Sequence, residues 1–271
     1  MWTPLTGGRS NRLWRIAGAP TCTGGALVLK LFAPADDNPL FRNDPDAEAA
    51  LLCHLAPHGL APMLLARANT PMGTCLLYEH VQGQPWRSGV ASAAHLLGRL
   101  HDIPTPAGLP AAPDGSAALA AHTARILDAC PTATARDARM LAPCRTAVPP
   151  SGRRSLLHGD PVPGNLIGRG ARWRLIDWQC PATGDPCEDL ALFLSPAMQA
   201  IYRGGPLTVA QREAFLAACP DRAAAARYRR LAPWYHWRML AYCLWRAALG
   251  SPDAEAAVRA ERAALDEAMQ A

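Results

Sequence analysis

Residues 156–167 read Leu-Leu-His-Gly-Asp-Pro-Val-Pro-Gly-Asn-Leu-Ile, and a second apolar stretch over 173–176 ends in Asp177. Two prolines and a glycine between Asp160 and Asn165 forbid a helix there, so their side chains sit on a fixed loop between apolar segments. Two carboxylates and an amide on adjacent loops make a hard-oxygen set suited to Mg²⁺, with one carboxylate left to orient a nucleophile. A second feature is the sole lysine. Lysines and arginines together number 27, and only Lys30 is a lysine, which leaves 26 arginines. An arginine-biased genome is one account of this. The other is a site inside the apolar run 26–32 that needs a compact point charge, which the planar guanidinium fork cannot supply.

Other chemistries find less support. His54 and His58 are close on a helical repeat but Pro57 interrupts them, and no H-E-x-x-H occurs, which speaks against a catalytic zinc. There is no G-x-S-x-G elbow, and Lys30 follows leucine in an apolar run rather than a Walker glycine. The nine cysteines are odd in number and scattered, without C-x-x-C spacing, so neither a disulfide framework nor a zinc ribbon is expected and a reducing cytoplasm is. No apolar run approaches the roughly 20 residues of a membrane span, and the opening MWTPLTGGRS lacks the apolar core of a secretory signal. The net charge of +5 comes from arginines dispersed without interleaved aromatics, so nucleic acid is not the expected partner.

The elements that must hold these groups follow from the pattern of apolar residues. With 271 residues, half of them hydrophobic, the chain can bury one bilobal domain or two small ones. Residues 11–16, 26–32, 63–67 and 74–78 read as strands. Between the second and third, Asn43 or Asp44 can cap a helix with Pro45 in its first turn and with Glu48, Leu51, Leu52 and Leu55 along it. After residue 83 helical patterns dominate, at 88–101, 115–128, 133–143, 208–218, 222–248 and 252–269. One non-helical island, residues 155–184, carries the candidate chemistry.

His158-Gly159-Asp160, with Asn165 five residues after the aspartate and Ile176-Asp177-Trp178 at a strand end, resembles the protein-kinase pattern H-R-D-x-x-x-x-N followed by a metal-binding aspartate. The variant is similar to the small-molecule branch of that fold: aminoglycoside phosphotransferases, choline and ethanolamine kinases, and thiamine kinase. The resemblance implies an α+β, two-lobed protein-kinase-like fold, with a strand-rich nucleotide lobe over 1–79, a hinge over 80–84 and a mainly helical lobe over 85–271. It implies ATP and Mg²⁺ as cofactors and a small-molecule alcohol as acceptor, and leaves the oligomeric state open. Residue by residue, it implies Asp160 as the catalytic carboxylate and Asn165 and Asp177 as metal ligands. Gly8, Ser10 and Asn11 fall where such kinases cover the phosphates, Lys30 where they place the strand lysine, and Glu48 where a helix glutamate pairs with it. Glu79 and Val81 fall at the adenine hinge. The glycine loop lacks full G-x-G-x-x-G spacing, and Gln179 stands where many relatives have an acidic residue.

For the acceptor, Asp185 and Glu188 open the helix after the metal aspartate and are substrate-binding candidates. Trp234, Trp237, Tyr242 and Trp245 are others: at about 100° per residue they fall within one arc of a single helix. That arc is either core or an aromatic wall for a quaternary ammonium. Between 201 and 250 eight arginines face two acids, Glu213 and Asp221, a balance that disfavours a polycation. The expected acceptor is therefore choline-like or ethanolamine-like, with an aminoglycoside, amino sugar or thiamine as alternatives, and a nucleotide-binding regulator without turnover as the rival from outside enzymes.

Overall fold

The computed structural model describes residues 1–5, 10–18, 25–34, 37–130, 134–169 and 172–270. The chain divides into two compact units: Met1–Pro85 with Asn165–Pro181, and Trp86–Gly164 with Ala182–Ala271.

The first unit is built on a five-stranded antiparallel sheet. Its strands are β1 (Trp2–Leu5), β2 (Arg12–Ile16), β3 (Leu27–Leu31), β4 (Leu64–Thr70) and β5 (Gly73–Glu79), in the order β1-β2-β3-β5-β4. Central β3 is buried by neighbours on both edges, and Leu27, Val28 and Leu31 belong to the core. Helix α1 (Pro45–Leu55) packs on β4 and β5. It begins as its sequence dictates: the Asp44 carboxylate accepts from the amides of Asp46 and Ala47, and Pro45 occupies the first turn, where a missing N–H costs nothing. Leu51, Leu52 and Leu55 are buried from it. Strand β6 (Gln84–Pro85) then pairs with β8 (Leu166–Arg169), which forms a hairpin with β9 (Arg172–Leu175).

The second unit is mainly helical. Helices α2 (Val90–His101), α3 (Ser116–Asp128) and α4 (Thr134–Arg139) precede the two-stranded sheet of β7 (Ser155–Leu157) and β10 (Ala182–Gly184). Helices α5 (Cys187–Leu194), α6 (Pro196–Arg203), α7 (Val209–Ala218), α8 (Arg222–Ala248) and α9 (Ala254–Gln270) follow. Helix α8 is the axle of this unit, touching α3, α4, α5, α7 and α9. Phe193 of α5 stacks on Phe215 of α7 at 4.7 Å and meets Trp86 edge-on at 5.0 Å, in the favoured aromatic geometries.

The expected strands and helices are present to within a few residues at their ends. Several elements were not expected, β6 and β10 among them, and two others are instructive. Exposed edge strand β1 has little apolar alternation to announce it. Helix α6 carried a readable signal, Ser195 before Pro196, and Ser195 Oγ does accept from the Met198 amide as an N-cap.

Candidate active site

Lys30 lies on central β3 with its side chain 1% exposed, and its ammonium meets three oxygens. Glu48 Oε2 is 2.6 Å away, Asp177 Oδ1 is in direct contact, and Gln179 Oε1 is 3.4 Å away. Burial alone would lower the Lys30 pKa, but the charges of Asp177 and Glu48 outweigh it and hold the group above its ordinary value. Burial pushes the Glu48 carboxyl up to about 7, against the attraction of Lys30. A buried ammonium that stays charged beside two carboxylates is a ready anion partner in a low-dielectric setting.

Asp177 is presented by an unusual backbone. Its φ is 65°, and among the described residues no other non-glycine residue has a positive φ. Such a conformation costs about 1–3 kcal/mol and persists only where its surroundings impose it. Both sides of it are fixed: the Asp177 carboxylate meets Lys30, and the next residue, Trp178, is fully buried with its Nε1 donating to the Leu175 carbonyl at 3.0 Å. Asn165 comes in through the β8–β9 register. Leu166 opposes Leu175, and the Ile176 amide donates to the Asn165 carbonyl at 2.9 Å. The hairpin thus brings Asn165 alongside the segment that ends in Asp177.

The loop bearing Asp160 belongs to the second unit, where Asp189 anchors it. The Asp189 carboxylate is fully buried and accepts from the His158 and Gly159 amides, each at 3.0 Å, and lies 3.0 Å from His101 Nε2. Burial favours its neutral form, but the hydrogen bonds from His101 and His158 prevail and keep the carboxyl below the usual range. His158 Nδ1 in turn accepts from the Asp160 amide at 3.2 Å. Gly159, at φ 80°, makes the left-handed step between them. A Cβ on Gly164 would stand 2.8 Å from Cδ1 of Tyr202, so a glycine is needed for the ring to lie against the loop. Sequence reasoning missed Asp189 as the anchor; it stands beside Glu188, and nothing local distinguishes the two carboxylates.

Among the nucleotide candidates, Gly8 lies outside the described residues. Ser10 and Asn11 lead into β2, half-buried. Glu79 ends β5, where its carboxylate pairs with Arg174 at 3.0 Å, and Val81 lies two residues on, between β5 and β6 and half-buried.

The acceptor candidates differ from expectation. Asp185 is bound by Arg227 Nε at 2.5 Å, and Glu188 takes both terminal nitrogens of Arg238, at 3.0 and 2.7 Å. Both carboxylates are buried and paired with arginine, because the interior of the helical unit demands a counter-ion for each. Nor do the four rings of α8 form an open wall. Trp234, Trp237 and Tyr242 are each 5% exposed, Trp245 is half-buried, and Trp237 Nε1 donates to the Ala138 carbonyl at 2.7 Å. The physical reason is that α8 is packed against five other helices along its middle, so Trp234, Trp237 and Tyr242 are core, while Trp245, nearer its end, is half-buried.

Mg²⁺ commonly takes one or two protein oxygens and completes its shell with phosphates and water. Asn165 and Asp177 supply such a pair, and among the described residues no group of three or more His, Cys, Asp or Glu side chains offers a protein-only cage. The donor set therefore fits the ion.

A family model described as the phosphotransferase enzyme family matches residues 2–234. No curated protein sequence matches the chain. Among solved structures, a choline/ethanolamine kinase family protein from Mesorhizobium loti aligns with a TM-score of 0.66 at 18% identity, over 100% of this chain and 88% of its own. The choline kinase from Streptococcus pneumoniae aligns at 0.62 and 17% identity, over 98% and 94%. An aminoglycoside phosphotransferase from Streptomyces rimosus, solved with ADP and streptomycin, aligns at 0.53 and 21% identity, over 86% and 92%. At such identities the likeness is one of fold, and the fold is the two-lobed α+β class of the protein-kinase-like enzymes. Among the described residues no helix is long and apolar enough to cross a membrane.

Proposed function

Because the chain belongs to the phosphotransferase enzyme family, we propose that it moves the γ-phosphoryl group of ATP, with Mg²⁺, to a hydroxyl of a small amino alcohol of the choline or ethanolamine type. The observation that carries the transfer chemistry is the buried Lys30 ammonium held between Glu48 and Asp177, with Asp177 in a left-handed backbone. Residues 1–79 serve as the nucleotide lobe, 80–84 as the hinge and 85–271 as the acceptor lobe, except that Asn165–Pro181 returns to the first unit. Glu79 and Val81 meet the adenine, and Gly8, Ser10 and Asn11 cover the phosphates. Lys30, steadied by Glu48, neutralises phosphate oxygens. Asn165 and Asp177 would hold the metal, which would supply positive charge against that of the phosphates. Asp160 orients the acceptor hydroxyl and takes its proton as the new O–P bond forms and the bond from the γ-phosphorus to the β-phosphate oxygen breaks, with ADP leaving. The scattered thiols suit a cytoplasmic setting.

Lys30→Ala is expected to lower kcat by about 10²–10³-fold, as loss of one preorganised donor does. Lys30→Arg is expected not to restore it, because a forked, longer group replaces a point charge in a closed pocket. Steady-state kinetics check both, and near-normal turnover in either variant would remove Lys30 from the site.

The amino-alcohol reading is supported by the full-length alignment with a choline/ethanolamine kinase family structure and by the arginine-rich composition of residues 201–250. An ADP-release assay across choline, ethanolamine, thiamine and kanamycin tests it. Turnover with choline or ethanolamine is expected, and rapid turnover of kanamycin alone would defeat it. Trp237→Ala is expected to lose about 3–5 kcal/mol of stability in thermal unfolding, with choline KM in the ADP-release assay moving no more than ATP KM, since this ring is core. A selective rise in choline KM without loss of stability would return Trp237 to the acceptor pocket.

A further inference from the structure

Oxygens do not make up the whole surroundings of the Lys30 ammonium. Its nitrogen lies over the Phe32 ring, 4.7 Å from the centroid, inside the roughly 6 Å at which a cation is drawn to the negative face of an aromatic ring. Phe32 directly follows β3, and residues two apart on an extended chain point to the same face. The Phe32 amide donates to the Thr74 carbonyl at 2.9 Å, which carries the ladder between β3 and β5 one residue past Leu31. Both side chains are enclosed, Lys30 at 1% and Phe32 at 3% exposure, so little water stands between charge and ring to weaken their attraction. The oxygen partners come from other elements: Glu48 stands on α1, and Asp177 and Gln179 follow β9. The ring, by contrast, is carried by the lysine's own strand. A leucine at 32 would also be apolar, but a saturated side chain has no negative face to offer.

We infer that Phe32 is a positioning residue whose ring face holds the Lys30 ammonium in place from the same strand. The inference rests on the nucleotide reading given above, in which Asp177 also serves the metal and its hold on Lys30 is divided. The ring takes up neither proton nor metal, so it counts for more when a carboxylate is engaged elsewhere. Packing alone and attraction through the ring face respond differently when electrons are withdrawn from the ring. Fluorine on its rim drains the negative face, while the shape stays nearly the same and the apolar character is kept.

Phenylalanine carrying one, two or three ring fluorines at position 32, with Phe32→Leu beside it, tests this by calorimetric titration with Mg·ATP and by the melting temperature of the nucleotide-free protein. Binding is expected to weaken in a graded way with each fluorine, reaching between about threefold and thirtyfold with three, and the melting temperature is expected to fall in the same order. Phe32→Leu is expected to bind no more tightly than the trifluorinated protein, and if it does not fold the fluorinated series decides alone. Binding that stays level across the series would overturn the inference, whether or not the melting temperature falls, since the ring would then touch the ammonium without placing it. A melting temperature that rises with fluorination would overturn it as well, by reducing the ring to packing. Failure of the functional reading looks different: binding would keep its graded order and no alcohol would be phosphorylated.

Discussion

Asp160→Asn is expected to bind Mg·ATP as the unaltered protein does and to lose about 10²–10⁴-fold in kcat, the range that a positioned proton acceptor contributes. The amide keeps the shape of the carboxylate and the loop keeps its anchor, because Asp189 holds the His158 and Gly159 amides rather than the Asp160 side chain. Asp177→Ala is expected to fail differently. It removes one of the two carboxylates on Lys30 and, on the proposed reading, the charged metal ligand, so metal-dependent binding and turnover are expected to go together. Titrating Mg²⁺ at fixed ATP in a calorimeter, alongside single-turnover transfer, separates the two. Should Asp160→Asn lose nucleotide binding while Asp177→Ala binds and turns over normally, the assigned roles are reversed.

Arg238→Met is expected to lower stability by about 3–5 kcal/mol, since one partner of a buried ion pair is removed and the other left charged in the interior. The Arg238 and Glu188 side chains are 3% and 8% exposed, and two parallel bonds join them. Burial raises the Glu188 pKa against the pull of Arg238, so once unpaired the carboxyl must take up a proton or remain a desolvated anion. Glu188→Leu is expected to cost a similar amount by stranding the guanidinium, whose Nε already has no hydrogen-bond partner among the described residues. The double variant Glu188→Leu/Arg238→Met is expected to recover most of the loss, because an apolar pair of similar volume needs no counter-ion. Urea unfolding of the four proteins measures this, and losses that simply add would show that the two charges do not depend on each other.

These two cases mark where sequence reasoning succeeds and where it stops. Local chemistry was legible. Asp44 and Pro45 start a helix, the apolar run around Lys30 is a central strand, and the prolines between Asp160 and Asn165 keep that loop out of a helix. Partnership across the chain was not legible. Glu188 meets Arg238 from 50 residues away and Asp189 meets His101 from 88, and no periodicity carries such pairings. The aromatic arc of α8 stayed open between pocket and core for a related reason. A stripe of rings on a helical wheel looks the same whether it faces a ligand or the interior, and only the helices packed around α8 decide between them. Gln179 departs from many relatives in the sequence itself, but its bonds to Asn11 and Lys30 join residues far apart in the chain.

The division of the chain into units also bears on how such a protein can be inherited. The first unit is not contiguous: Asn165–Pro181 returns to it after the chain has entered the second. A single recombination near residue 85 would therefore exchange Lys30 and Glu48 but leave Asn165, Asp177 and Gln179 with the other parent. The Leu175 amide that donates to the Leu60 carbonyl at 2.8 Å, and the Asp44 amide that donates to Gln179, would then join halves of different ancestry. Diverging lineages must alter the lysine strand and the aspartate hairpin in step. A gene library shuffled at one crossover should yield few folded chimaeras at that position, and more when residues 165–181 travel with the first 85.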